Sequence, residues 1–192
     1  MRKRPNHLES YGGKGTWALI TGASDGIGLE FCKQLAQEGF NICLVSRSES
    51  KLKDAIKYQL SQYGVQTRYF VADFSGNANM AFYDDLMGKI ADLDIGLVIL
   101  NAGIQHSGWF WEESAEVWQQ ILDVNVYQYS ALTHKLLAKL EAREAKRSGM
   151  IVVSSCAAEL QGVIRNFVYG LSKVFVKYLV QAINYENSVK LA

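Results

Sequence analysis

Apolar and polar positions along the chain fall into two alternating kinds of segment. Short apolar runs predict strands at Trp17–Thr21, Asn41–Ser46, Gln66–Val71, Ile95–Leu100 and Met150–Ser154, the first read as buried on both faces and the fourth as buried. Between them, apolar residues recur at helical spacing. This predicts helices over Gly26–Glu38, Glu49–Gln62, Asn79–Ile90 and Phe167–Asn187, and a long one from Ser114 to Arg147 with a break near Asn125. Gly39, Gly64 and Gly149 punctuate the segment ends, and Ser114 is a fitting N-cap. Strict strand–helix alternation implies parallel strands joined by right-handed crossovers, hence an α/β doubly wound sheet with helices on both faces. Residues 1–15, with Asn6, Ser10, Gly12, Gly13 and Gly15 and no periodicity, read as a flexible lead-in to one domain over 16–192.

Composition narrows the class. The 192 residues are 49% hydrophobic and 20% charged, which suits one α/β domain with a sizeable core. A net charge of +1 gives no footprint for nucleic acid. The three cysteines, Cys32, Cys43 and Cys156, have no zinc spacing and read as buried thiols in a reducing compartment, so no metal site is expected. No apolar run reaches the roughly 18 residues of a membrane span. The basic start Arg2-Lys3-Arg4 lacks the apolar stretch of a secretory signal and reads as a tail or a basic patch for a membrane surface.

The candidate chemistry gathers at the carboxyl ends of the predicted strands. The first strand runs into Gly22, Ser24, Asp25, Gly26, Ile27 and Gly28 and then a helix, a strand–turn–helix whose free amides suit a dinucleotide pyrophosphate. Arg47 follows the second strand, where an acid would select NAD, so a 2′-phosphate and NADP(H) are expected. Asp25 dissents mildly, since its charge repels phosphate. Tyr169 and Lys173 share a helix face four residues apart, and a lysine cation beside a phenol lowers its pKa toward use as a general acid/base. Ser154 and Ser155 end the fifth strand, where a hydroxyl can bond a reacting oxygen. Asn125 is an amide within a helical stretch, suited to a kink or a water. His7, His106 and His134 read as structural or surface residues.

Together these motifs resemble the short-chain dehydrogenase/reductase family over about residues 12–188. Thr21 to Gly28 matches its TGxxxGxG loop, Asn101-Ala102-Gly103 its NAG element, and Asn125, Ser155, Tyr169 and Lys173 its catalytic positions. The resemblance implies a Rossmann-type fold. Tyr169 would be the acid/base, Lys173 would bind the nicotinamide ribose and lower the Tyr169 pKa, Ser155 would hold the substrate oxygen, and Asn125 a relay water. Asp73 would approach the adenine, and Asn101, Ala102 and Gly103 the adenosine side. The Ser155–Tyr169 gap is one residue longer than usual, with Ser154 as fallback, and Leu100 replaces the first Asn of NNAG.

A narrower likeness, in Leu44-Val45-Ser46-Arg47, Ser50-Lys51-Leu52, Ala72-Asp73-Phe74-Ser75 and Leu93-Asp94-Ile95-Gly96, is to the very-long-chain 3-oxoacyl-CoA reductase and 17-beta-hydroxysteroid dehydrogenase group. That likeness implies NADP(H), a hydrophobic carbonyl or alcohol substrate, and a location in the cytoplasm or on the cytosolic face of the endoplasmic reticulum. It also implies a homodimer through the helices at 126–147 and 167–187. The aromatic loop at Trp109, Phe110 and Trp111 would line an apolar entrance, pack in the core or meet a partner. Family members continue past the last helix with a sixth strand, a Pro-Gly loop, a substrate helix and a seventh strand. Their absence is expected of a fragment or truncated product, or of a chain whose partner supplies that wall. The alternative function is a cofactor-binding but inactive scaffold.

Overall fold

A computed structural model of the chain describes residues 7–143, 147–160 and 162–190. Five strands form one parallel sheet: β1 Trp17–Thr21, β2 Asn41–Ser46, β3 Thr67–Val71, β4 Ile95–Leu100 and β5 Gly149–Val152. Their spatial order is β3-β2-β1-β4-β5. The chain therefore walks outward from β1 to β3 and then crosses to the other side at β4. The burial follows the order: β1 and β4 are buried throughout, and β2 at all but its last residue, whereas β3 and β5 are partly exposed edges. This is why the inner runs are so continuously apolar.

Among the described residues, six α-helices cover the faces: α1 Gly26–Gln37, α2 Glu49–Asp54, α3 Met80–Lys89, α4 Ala115–Leu122, α5 Gln128–Glu141 and α6 Phe167–Lys190. Alternate strand residues feed two separate cores. Ala18, Ile20, Ile42 and Leu44 pack with Cys32, Leu35 and Leu52 of α1 and α2. Leu19, Val45 and Val98 pack with Tyr83, Leu132 and Val176 of α3, α5 and α6. Three strands have the expected bounds, β3 begins one residue late, and β5 begins one residue early and stops at Val152, two residues early. The helix after β2 is α-helical only to Asp54, then widens into a π segment Ala55–Leu60 and tightens into a turn at Ser61–Tyr63. The break near Asn125 is a π segment at Asp123–Tyr127 that joins α4 to α5. The helix expected to reach Arg147 ends at Glu141, and residues 144–146 lie outside the described residues.

Two expectations change. Cys32 and Cys43 are buried thiols, and desolvation drives both pKa values up, Cys43 to about 12. Cys156, however, is exposed, because it opens the turn Cys156–Ala158 after the edge strand. The lead-in is also not free over its second half. His7–Tyr11 forms a 3-10 turn whose Leu8 and Tyr11 pack against the α1-side core. Gly96 makes room for it, since a Cβ there would collide with the Tyr11 carbonyl. Arg143 staples the region: its guanidinium bonds Asp94 at 2.7 and 3.2 Å, the Tyr11 carbonyl at 3.3 Å and the Arg147 carbonyl at 2.8 Å. Arg143→Met is expected to lower the unfolding free energy by about 1–3 kcal/mol in urea titration. It should also expose the His7–Tyr11 turn to early proteolysis; an unchanged midpoint and cleavage pattern would mean the staple carries no load.

Candidate functional site

β1 and β4 are neighbours whose following segments leave in opposite directions, which opens a crevice at their carboxyl ends. A cavity of about 480 Å³ lies there, lined by Gly22, Ser24, Arg47, Asp73, Ala102 and Gly103 among others. The loop between β1 and α1 uses its glycines for three different reasons. Gly22, at φ 65°, has Ala102 Cα only 3.0 Å from where a Cβ would stand. Gly26, at φ 53°, has nothing within 4 Å of that point, so its left-handed turn is what glycine permits there. Gly28 lets α1 settle against β1, because a Cβ would strike the Gly22 carbonyl. Ile27, beside it, is 62% exposed.

A hydrogen-bond brace holds this loop to β4. Thr21 Oγ1 accepts from the Asn101 and Ala102 amides at 2.9 and 3.0 Å, and Asn101 Nδ2 donates to the Thr21 and Gly22 carbonyls at 3.2 and 3.4 Å. Asn101 thus spends its side chain on bracing and does not line the cavity, while Ala102 and Gly103 do. Ser24 and Ser46 hydroxyls meet at 2.8 Å across the cavity floor, and Asp73 accepts from the Ser75 amide at 3.0 Å.

The charge arrangement answers the objection raised by Asp25. Its carboxylate caps α1 through the Gly26 amide at 2.8 Å and lies 3.3 Å from Lys51 Nζ. The Gly26 bond first, and Lys51 second, hold that carboxyl below its usual range. The negative charge is thus offset by Lys51, a residue whose partner is 26 positions away and so was not evident in the sequence. Arg47 is exposed at the cavity, and its guanidinium has no hydrogen-bond or ion-pair partner among the described residues. A glycine turn at a helix N-terminus, open space beyond Gly26 and an unpaired guanidinium fit a dinucleotide.

The second half of the site centres on the π segment. Buried Asn125 accepts from the Ile104 amide at 2.9 Å and donates to the Ile104 carbonyl at 2.8 Å and to Ser172 Oγ at 3.0 Å. The side chain is therefore a clamp between the β4 loop and α6. Lys173 is 4% exposed, and its Nζ donates to the Val153 carbonyl at 3.3 Å. The ammonium lies 5.7 Å from the Tyr169 ring centroid, and a Cβ on Gly103 would stand 3.4 Å from both Nζ and Asn125 Oδ1. Asn125, Tyr169, Lys173 and Gly103 are thus brought together. The two serines separate by role. Ser154 Oγ donates to the Lys173 carbonyl at 3.1 Å and anchors α6, whereas Ser155 Oγ accepts from the Ala157 amide at 3.2 Å, which leaves its proton free to donate. Among the described residues no hydrogen bond joins Ser155 to Tyr169.

The aromatic loop is not core. Trp109, Phe110 and Trp111 are 41%, 44% and 75% exposed. Gln105 Nε2 and Ser107 Oγ donate to Asn166 Oδ1 at 2.7 and 3.2 Å, and the Gly108 amide donates to the carbonyl of Arg165 at 2.9 Å. Phe110 packs edge-on to Phe167 at 4.6 Å. The loop is thus stitched to the entry of the Tyr169 helix. His106 pairs with Glu113 at 3.0 Å, His134 is exposed, and the His7 side chain lies outside the described residues.

Burial pushes the Lys173 pKa down from the usual 10.5 to about 8. Below pH 8 the lysine is protonated in both folded and unfolded chains, and the folded state bears the full cost of desolvating the charge. Between pH 8 and 10.5 the unfolded chain binds more protons, so stability rises with pH. Lys173→Met removes that dependence. The variant is expected to gain on the parent below pH 8 and to lose on the order of 3 kcal/mol of that advantage by pH 10.5. Urea titrations at pH 7 and pH 10 check this, and a gap that stays constant would contradict it.

The short chain dehydrogenase family model matches residues 16–190. A very-long-chain 3-oxoacyl-CoA reductase of Podospora anserina is 39% identical over 178 residues, 91% of this chain and 51% of that protein. The human inactive hydroxysteroid dehydrogenase-like protein 1 is 30% identical over 178 residues, 92% of this chain and 52% of its own. The chain thus spans about half the length of these relatives. A short-chain dehydrogenase from Sphingobium yanoikuyae in complex with NADPH superposes with a TM-score of 0.80 at 26% identity, covering 90% of this chain and 66% of that one. The glycine turn, its brace to β4 and the Tyr169–Lys173 helix therefore sit in a fold and a sequence that belong to the short-chain dehydrogenase family.

Proposed function

We propose that the chain carries the cofactor-binding and proton-transfer machinery of an NADP(H)-dependent oxidoreductase that interconverts a carbonyl and a secondary alcohol on a hydrophobic substrate. The carrying observation is the buried Lys173 ammonium, 5.7 Å from the Tyr169 ring and next to Gly103, a residue that lines the same cavity as Arg47. A reduced nicotinamide, when bound, supplies the hydride. Tyr169 gives its phenolic proton to the substrate oxygen as the alcohol forms and recovers it in the reverse direction. As a cation, Lys173 favours the phenolate that Tyr169 becomes. The free proton of Ser155 is the donor that holds the substrate oxygen. Asn125 has its side chain engaged with Ile104 and Ser172, so a relay water would be held by its main chain within the π segment.

The substrate class is a 3-oxoacyl thioester or ketosteroid. The names of the relatives and the exposed aromatic loop beside the Tyr169 helix support it. Arg47 supports NADP(H), since its guanidinium is unpaired where a 2′-phosphate would lie. A cofactor-binding but inactive protein is the second reading, favoured by the relatives named inactive.

Quenching of NADPH fluorescence followed by NADPH oxidation with a panel of 3-oxoacyl thioesters and ketosteroids separates the two; binding with no turnover selects the second. Tyr169→Phe is expected to cut kcat/KM by about 10²–10⁴-fold with NADPH affinity nearly unchanged. Arg47→Asp is expected to lower the NADPH/NADH preference about 10–100-fold; an unmoved ratio would remove Arg47 from the cofactor site.

A further inference from the structure

The Lys173 ammonium is buried with no carboxylate paired to it among the described residues. What faces it from α5 is Tyr129, a residue no chemistry has yet been assigned to. Tyr129 is fully buried, and its ring centroid lies 5.3 Å from Lys173 Nζ, within reach of a cation–π contact. Its hydroxyl donates to the Val153 carbonyl at 3.3 Å, the same oxygen that Lys173 Nζ reaches at 3.3 Å. The other ionisable group against the ammonium is Tyr169, on its own helix at 5.7 Å; Asn125 and Gly103 complete the surroundings without charge.

We propose that Tyr129 is a positioning residue whose aromatic face holds the Lys173 ammonium in place, and in its charged form, beside Tyr169. The inference rests on the reading of Lys173 given above. An ammonium taken out of water needs compensation, and one carbonyl supplies only one of its three donors with a partner. The negative face of the Tyr129 ring, closer than that of Tyr169, adds compensation without bringing in a second ion that would compete for the cation. The shared Val153 carbonyl fixes ring and ammonium relative to the end of β5 and so relative to Ser155.

The test uses protein labelled with 13C at lysine Cε, with the Lys173 signal identified by its loss in Lys173→Met. Tyr129→Phe keeps the ring and is expected to titrate within about 0.3 pH unit of the parent, whereas Tyr129→Met keeps most of the volume but no π face and should titrate about one unit lower. Tyr129→Leu reads the same loss should the Met variant not fold. A Met or Leu variant that titrates with the parent, or a Phe variant that falls as far as Met, overturns the assignment. NADPH oxidation is followed in the same samples. Titrations that move as expected with no turnover in any form would sink the reductase reading alone and leave the Tyr129–Lys173 assignment standing.

Discussion

The site depends on one set of hydrogen bonds, the brace from Thr21 and Gly22 to Asn101 and Ala102. Adjacent parallel strands normally run on in register, yet the pairing of β1 with β4 ends at Ile20 and Ile99 and a crevice opens beyond it. Parting exposes strand-end amides and carbonyls that the sheet no longer satisfies. Thr21 Oγ1 accepts two of those amides, and the Asn101 amide group donates to two of the carbonyls. The opening is thereby held rigid, and the glycines of the loop fit it because Gly22 and Gly28 stand where any Cβ would press on Asn101 or on the backbone. Cavity, helix N-terminus and Arg47 then follow from this fixed geometry.

A second constraint acts at Lys173, behind Gly103 of the cavity wall, where charge has been taken out of water. Lys173 is buried beside two phenol rings and one carbonyl. Burying the cation lowers the stability of the folded chain near neutral pH. The elements around it are correspondingly well tied. Asn125 locks the π segment to Ile104, Ser172 joins that clamp from α6, and Ser154 holds the α6 backbone at Lys173 itself. A π segment in the middle of a helical run is a local loss of regular bonding, and it coincides with the residue that links three elements.

Much of this was legible in the chain because the signals were local. Trp17–Thr21, Asn41–Ser46 and Ile95–Leu100 have the bounds that their apolar runs define, since interior strands bury both faces. The glycine turn and the Tyr169–Lys173 spacing are likewise properties of adjacent residues. What was not legible joins distant positions. The His7–Tyr11 turn looks formless until Arg143, 132 residues away from Tyr11, reaches its carbonyl. Lys51 is an ordinary surface lysine of α2 until the fold sets it against Asp25, and Tyr129 an ordinary apolar helix position until α6 brings Lys173 over its ring.

The sequence by itself determined the β-α alternation, the parallel sheet and the types of group available at the strand ends, because each follows from periodicity and from conformations only glycine adopts freely. Only the tertiary structure decided how those groups are used. It assigned Asn101 to bracing and not to the cavity wall, distinguished Ser155 from Ser154, paired Asp25 with Lys51 and placed Cys156 at the surface. The reason is physical. A side chain's chemistry depends on its burial and on the one or two atoms it touches, and in a doubly wound sheet those atoms come from segments far apart in the chain.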